Sequence, residues 1–137
     1  MSGDPRREDF AGTGDIILAR APGRLDFLGG IADYSGGSAL QWPLAQATYA
    51  AVRKTTNDFV SIRSRRTLGE DASKATFALA DLTRDCAGIR EVFRSSDAPW
   101  AAYALGILAV WRETIGFFPS TGFDLRIVSD LPEGCGL

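Results

Sequence analysis

Between Ala21 and Pro43 the chain reads APGRLDFLGGIADYSGGSALQWP, and no other stretch constrains its own backbone so closely. Pro22 fixes its φ, and Gly23, Gly29, Gly30, Gly36 and Gly37 permit conformations and close approaches that other residues resist. Asp33-Tyr34-Ser35-Gly36-Gly37 has the composition of a tight turn. Arg24, Asp26, Asp33 and Tyr34 stand among these turn formers, so polar side chains are concentrated where the backbone bends. A second glycine-rich stretch, LPEGCGL, runs from Leu131 to Leu137 behind a strand-like segment. A strand, a glycine turn and a helix together make an anion site, because backbone N–H groups converge in the turn and the helix N-terminus adds partial positive charge. Pro132-Glu133-Gly134-Cys135-Gly136-Leu137 is the first half of such a device; taken alone it also reads as an ordinary turn.

The remainder reads as scaffold. Residues 1–14 are polar and are expected to form a tail, and residues 15–137 one domain. Ile16 to Ala21 predicts a strand ending at Pro22. Ala39 to Lys54 has some helix formers after Pro43, but Thr48, Tyr49 and Val52 favour a strand. Asp58 to Ser64 and Ala75 to Leu82 alternate apolar with polar residues around a polar turn at Leu68 to Lys74, and with the preceding strand they predict an antiparallel meander. Ile89, Val92 and Phe93 fall at helical spacing. Pro99 opens a further helix that Asp97 can cap and Gly116 stops, with Trp100, Tyr103, Ala104, Ile107, Leu108 and Trp111 as its core face. Gly122 to Ser129 alternates as a strand leading into the second glycine stretch. Strands, one clear helix and a final strand give an α+β fold, with an antiparallel-rich sheet.

Composition removes several classes of function. A chain of 137 residues with 45% hydrophobic and 23% charged content has an ordinary globular make-up. Fifteen basic against 17 acidic residues give a net charge of −2 and no footprint for nucleic acid. Arg63, Arg65 and Arg66 form a short basic cluster, expected as a solvated strand end, with an anion site as the alternative. Without histidine the chain holds neither a histidine-bearing metal site nor a Ser-His-Asp triad. Two cysteines without a CxxC pattern make a reducing, cytoplasmic setting the expectation. No apolar run reaches the length of a membrane span, so neither nucleic acid nor membrane is expected as a partner.

The two glycine-rich stretches together carry a resemblance. Ala21-Pro22-Gly23-Arg24, then Gly29, Asp33-Tyr34 and Gly36-Gly37, resembles the first motif of the GHMP kinase superfamily of galactokinases, homoserine kinases, mevalonate kinases and phosphomevalonate kinases. Ser129 to Leu137 resembles the opening of that superfamily's phosphate loop, in the same order and at similar separation. Galactokinases usually carry Glu-His where this chain has Gly30-Ile31, and the run from Gly23 to Gly36 is more similar to L-arabinokinases. Fucose kinase-like and heptose-phosphate kinase-like members share the double glycine but usually lack the Tyr-Ser-Gly continuation.

The resemblance implies a ribosomal-protein-like two-layer sandwich with helices on one face, and an ATP-dependent kinase acting on an arabinose- or galactose-like monosaccharide. Arg24 stands at the position of an arginine that stabilises charge on the transferring phosphoryl group; its alternative role is to pair with Asp26 or Asp33. Asp33 matches the aspartate that accepts sugar hydroxyls, and its alternative is an Asx turn. Gly30, Asp26 and Tyr34 complete the implied substrate set, Tyr34 as a packing residue at its wall. Gly134, Cys135, Gly136 and Leu137 would face ATP phosphates, with Cys135 alternatively a small buried residue. Family members carry a catalytic aspartate and Mg²⁺ ligands beyond the phosphate loop and are usually more than twice this long. The expectation is therefore an N-terminal portion that binds neither ATP nor Mg²⁺ alone, and that self-associates through a sheet face left uncovered. A non-catalytic sugar-binding or regulatory module of the same family is the second reading, and a structural domain with coincidental glycine loops the third.

Overall fold

A computed structural model describes residues 14–66 and 72–132. Five strands form one sheet in the order β1-β2-β5-β3-β4, from β1 (Ile16–Leu28), β2 (Leu40–Lys54), β3 (Phe59–Arg66), β4 (Ser73–Ala78) and β5 (Phe123–Ser129). After a short α1 (Gly30–Asp33) in the β1–β2 connection, a single layer of helices covers one face: α2 (Leu79–Leu82), α3 (Cys86–Ser95), a 3₁₀ turn at Pro99–Ala101, α4 (Ala102–Leu105) and α5 (Ile107–Ile115). The core lies between the layers, where Val60, Ile62, Phe77 and Leu125 of the sheet meet Leu82, Ile89, Phe93, Leu105 and Leu108 of the helices. Phe77 and Phe93 pack edge to face with centroids 5.2 Å apart, a favoured arrangement of ring quadrupoles. The expected two-layer α+β architecture is the observed one.

Strand connectivity departs from the meander. β2 pairs antiparallel with β1 and β5, while β3 pairs antiparallel with β4 and parallel with β5. The last strand is thus inserted between β2 and β3. Local alternation cannot distinguish these orders, because each exposes the same faces of the same strands. Gly122 is where β5 enters: its N–H donates to the Asn57 carbonyl at 2.8 Å and its carbonyl accepts from Thr55 N–H at 3.0 Å.

Two boundary expectations also change. β1 does not stop at Pro22 but continues to Leu28, and Pro43 lies within β2. Both prolines are tolerated because a neighbour is missing on one side: β1 is an edge strand, and β5 pairs with β2 only from Thr48 onward. The helix after Pro99 is divided at Gly106; of its expected face Leu108 is buried and Trp100 and Ala104 pack against the core, whereas Tyr103, Ile107 and Trp111 are exposed and Ala101, Leu105 and Ala109 are buried in their stead. Tyr103 is 96% exposed, and Trp111 packs instead on Phe117 beyond the helix end. No side chain caps the 3₁₀ turn; Ala98, not Asp97, precedes it. Gly116 ends α5 with φ of 66°, as expected. Arg63 and Arg65 lie on β3, an interior strand, and are half-buried rather than at a solvated end. Arg63 is in register with Arg126, and Arg53 with Asp124.

Candidate functional site

The glycine-rich first stretch is the tip of the β1–β2 hairpin. Arg24 is in register with Pro43 and Asp26 with Gln41, with register shifts between Pro22 and Arg24 and between Asp26 and Leu28. These irregularities add local twist and re-aim the side chains that follow. Beyond Leu28 the chain turns through Gly29 into α1 and returns through Ser35 to Gly37. Gly29 has φ of 83°, and a Cβ there would lie 2.5 Å from the Ser38 carbonyl, so neither backbone nor space admits a side chain. The Ala32 carbonyl gathers Ser35 N–H at 3.1 Å, Gly37 N–H at 2.8 Å and the Ser35 hydroxyl at 2.9 Å. That shared acceptor holds the return of the loop.

The second stretch meets the first. Thr48 and Ser129 hydroxyls lie 2.9 Å apart, Ala47 N–H donates to the Asp130 carboxylate, and Asp130 N–H returns to the Ala47 carbonyl at 3.3 Å. These bonds carry β5 past its last ladder pair and deliver Leu131 onto buried Gly23, where a Cβ would sit 2.3 Å from the Leu131 Cδ2. The glycine at position 23 therefore lets the chain leading into the second stretch lie directly on β1.

Within the tip, the Asp26 carboxylate is the most connected of the sequence candidates. Gln41 Nε2 donates to its Oδ1 at 2.8 Å, and Arg24 Nε lies 3.8 Å from the same oxygen. Gly30 faces the other oxygen: a Cβ at Gly30 would be 3.2 Å from Asp26 Oδ2. Arg24, Asp26 and Gly30 thus come together. Asp33 ends α1, and its side chain lies outside what is described. Tyr34 is 96% exposed, so it is not the packed wall residue expected from sequence. Gly134, Cys135, Gly136 and Leu137 lie outside the described residues, as does most of the expected tail. Gln41 is not among the residues that the sequence singles out. Its signal is its place in the hairpin, directly opposite Asp26, which is legible only once both arms are known to pair.

An apolar cavity of about 590 Å³ lies elsewhere, among Ile17, Val52, Leu108, Trp111, Phe118 and Phe123. Ile17 is near the opposite end of β1 from Asp26, so this is space between sheet and helices remote from the polar cluster. Among the described residues no group of three or more His, Cys, Asp or Glu side chains could hold a metal, and no helix is long and apolar enough to cross a membrane.

Comparison with known proteins bears on the same hairpin. Residues 7–54 match the galactokinase galactose-binding signature. A galactokinase of Exiguobacterium sibiricum is 36% identical over 117 residues, covering 85% of this chain and 27% of that protein. In sequence the chain is similar to galactokinases. An L-arabinokinase of Arabidopsis thaliana is 30% identical over 151 residues, covering 90% of this chain and 14% of that protein. In three dimensions, the mevalonate kinase of Methanococcus jannaschii shares the fold with a TM-score of 0.64 at 18% identity, over 92% of this chain and 36% of that one. The chain therefore spans well under half the length of these relatives.

Proposed function

We propose that this chain is the sugar-binding and phosphate-approach portion of an ATP-dependent kinase that phosphorylates a hydroxyl of an arabinose- or galactose-like monosaccharide. The observation that carries the reading is the packing of Leu131 on Gly23, which sets the arginine- and aspartate-bearing hairpin beside the chain leading into the second glycine stretch. The relatives by sequence, a galactokinase and an L-arabinokinase, support the same chemistry.

In this reading Asp33 and Asp26 accept sugar hydroxyls, because a carboxylate is acceptor-only and suits a ligand rich in O–H donors. Gly30 gives the Asp26 carboxylate room beside the ring. Arg24 neutralises charge on the phosphoryl group in transfer, a step that depends mainly on positioning and electrostatics. Its distance of 3.8 Å from Asp26 is long for a charge-assisted bond, so it is not committed to that partner. In the whole kinase ATP would supply the phosphoryl group, and Gly134, Cys135, Gly136 and Leu137 would hold its phosphates through backbone N–H groups, with Mg²⁺ as counter-ion. The carboxylates and the arginine need no part of either group in order to orient the sugar.

The test is a ¹H–¹⁵N titration of the chain with D-galactose and with L-arabinose. Saturable shifts centred on residues 24–37, lost in Asp33→Ala, are expected. Flat titrations with both sugars would remove the sugar reading.

A further inference from the structure

We infer that Gln41 is a positioning residue which, with Gly30, fixes the Asp26 carboxylate as a single oriented acceptor and thereby sets sugar selectivity; the inference rests on the proposed sugar site. The first observation concerns why position 30 is glycine. Its φ does not lie in the left-handed region, and the three nearest atoms that a Cβ would meet, at 3.2, 3.4 and 3.6 Å, all belong to the side chain of Asp26. Gly29 beside it is required by its own φ and by the Ser38 backbone. Gly30 is required by neither. Its missing side chain leaves a notch, and what stands in the notch is a carboxylate.

The second observation concerns how that carboxylate is oriented. Gln41 Nε2 bonds Oδ1 at 2.8 Å across the hairpin, while Oδ2 faces Gly30. The Gln41 amide thus chooses which oxygen is engaged and which is offered. An acceptor held in one direction discriminates among sugars by the direction of a hydroxyl, because an epimer places that O–H elsewhere and leaves the acceptor unmatched. A side chain at position 30 would push Asp26 aside, so residues 26, 30 and 41 act as one unit. Arg24, 3.8 Å from the engaged oxygen, would sense any change in it.

The experiment measures the affinities of D-galactose and L-arabinose for the chain, for Gln41→Leu and for Gly30→Ala, together with the side-chain amide resonances of Gln41. In the parent chain these resonances should shift on Asp26→Ala, and Gly30→Ala should shift them in the same sense. Gln41→Leu should change the ratio of the two affinities by about fivefold, the size expected from one lost hydrogen bond. In an Asp26→Ala background Gln41→Leu should change nothing further. Unaltered Gln41 resonances in Asp26→Ala, or an unaltered affinity ratio in Gln41→Leu with both sugars still bound, would overturn the inference. Failure of the parent chain to bind either sugar would overturn the reading beneath it, and the inference with it. Those outcomes are distinct. Thermal unfolding of Gln41→Leu should match the parent, since this bond is exposed.

Discussion

Cys86 opens α3, and its thiol interacts with Glu113 on α5. The hydrogen bond to the Glu113 carboxylate holds the thiol above its ordinary range, with desolvation and the carboxylate's charge acting in the same direction. Because the thiolate is the nucleophile, Cys86 should alkylate slowly at pH 8. Replacing Glu113→Gln removes the charged acceptor, lowers the thiol's pKa and should speed iodoacetamide labelling; peptide mass spectrometry separates Cys86 from Cys135. Equal rates in the two chains would mean that Glu113 does not govern the thiol. Arg53 and Asp124 form another residue-scale contact, 2.8 Å apart with side chains 13% and 17% exposed. Asp124→Asn removes the charge from the acceptor of this sheltered, charge-assisted bond and should lower unfolding free energy by about 2 kcal/mol. Chemical denaturation measures it.

At the scale of elements, glycines of similar appearance have different duties. Gly36 has φ of 75°, but a Cβ there would meet nothing within 4 Å, so Gly36→Ala should cost only the left-handed backbone penalty, about 1 kcal/mol. Gly29→Ala adds a collision with the Ser38 carbonyl and should cost about 2 kcal/mol or more. A reversed order in denaturant midpoints would contradict this account of the hairpin tip. Gly122 is more severe. A Cβ there would approach the Phe59 carbonyl to 2.1 Å and the Asn57 carbonyl to 2.6 Å. No rotamer relieves a backbone clash, so Gly122→Ala should prevent β5 from entering between β2 and β3. Hydrogen exchange should then show β5 amides losing protection, while a similar loss in Gly36→Ala would argue against a specific role for Gly122. Sequence alone does not separate these three glycines.

For the whole molecule, the helices cover the sheet unevenly. They pack over β3, β4, β5 and the Ala50–Val52 part of β2, whereas the tip of the β1–β2 hairpin carries exposed Leu25, Phe27, Leu28, Leu40 and Trp42, with Phe27 at 67% and Trp42 at 68%. Adjacent exposed apolar residues on and beside an edge strand favour association. Sedimentation velocity of the chain should show a concentration-dependent rise in mass, and Phe27→Ser with Trp42→Ser should reduce it. A monomer at all concentrations would place these residues in an ordinary exposed setting.

The sequence by itself determined the kinds of elements and the residues of the polar hairpin. Period-two alternation marked β3 and β5, the helical spacing of Ile89, Val92 and Phe93 fell on α3 with Ile89 and Phe93 buried, and the stretch Gly23–Gly37 lies within the residues that match the galactokinase signature. These are local signals, written in side-chain direction and backbone freedom over a few residues. Tertiary structure alone decided that β5 lies between β2 and β3, that the buried helix face turns away from Tyr103, and that Arg63 and Arg65 belong to an interior strand. It also set Gln41 against Asp26 and Leu131 against Gly23. The reason is physical: strand alternation states which face a residue occupies but not which strand lies beside it, and partner choice is settled only when the whole sheet and its helices close on one core.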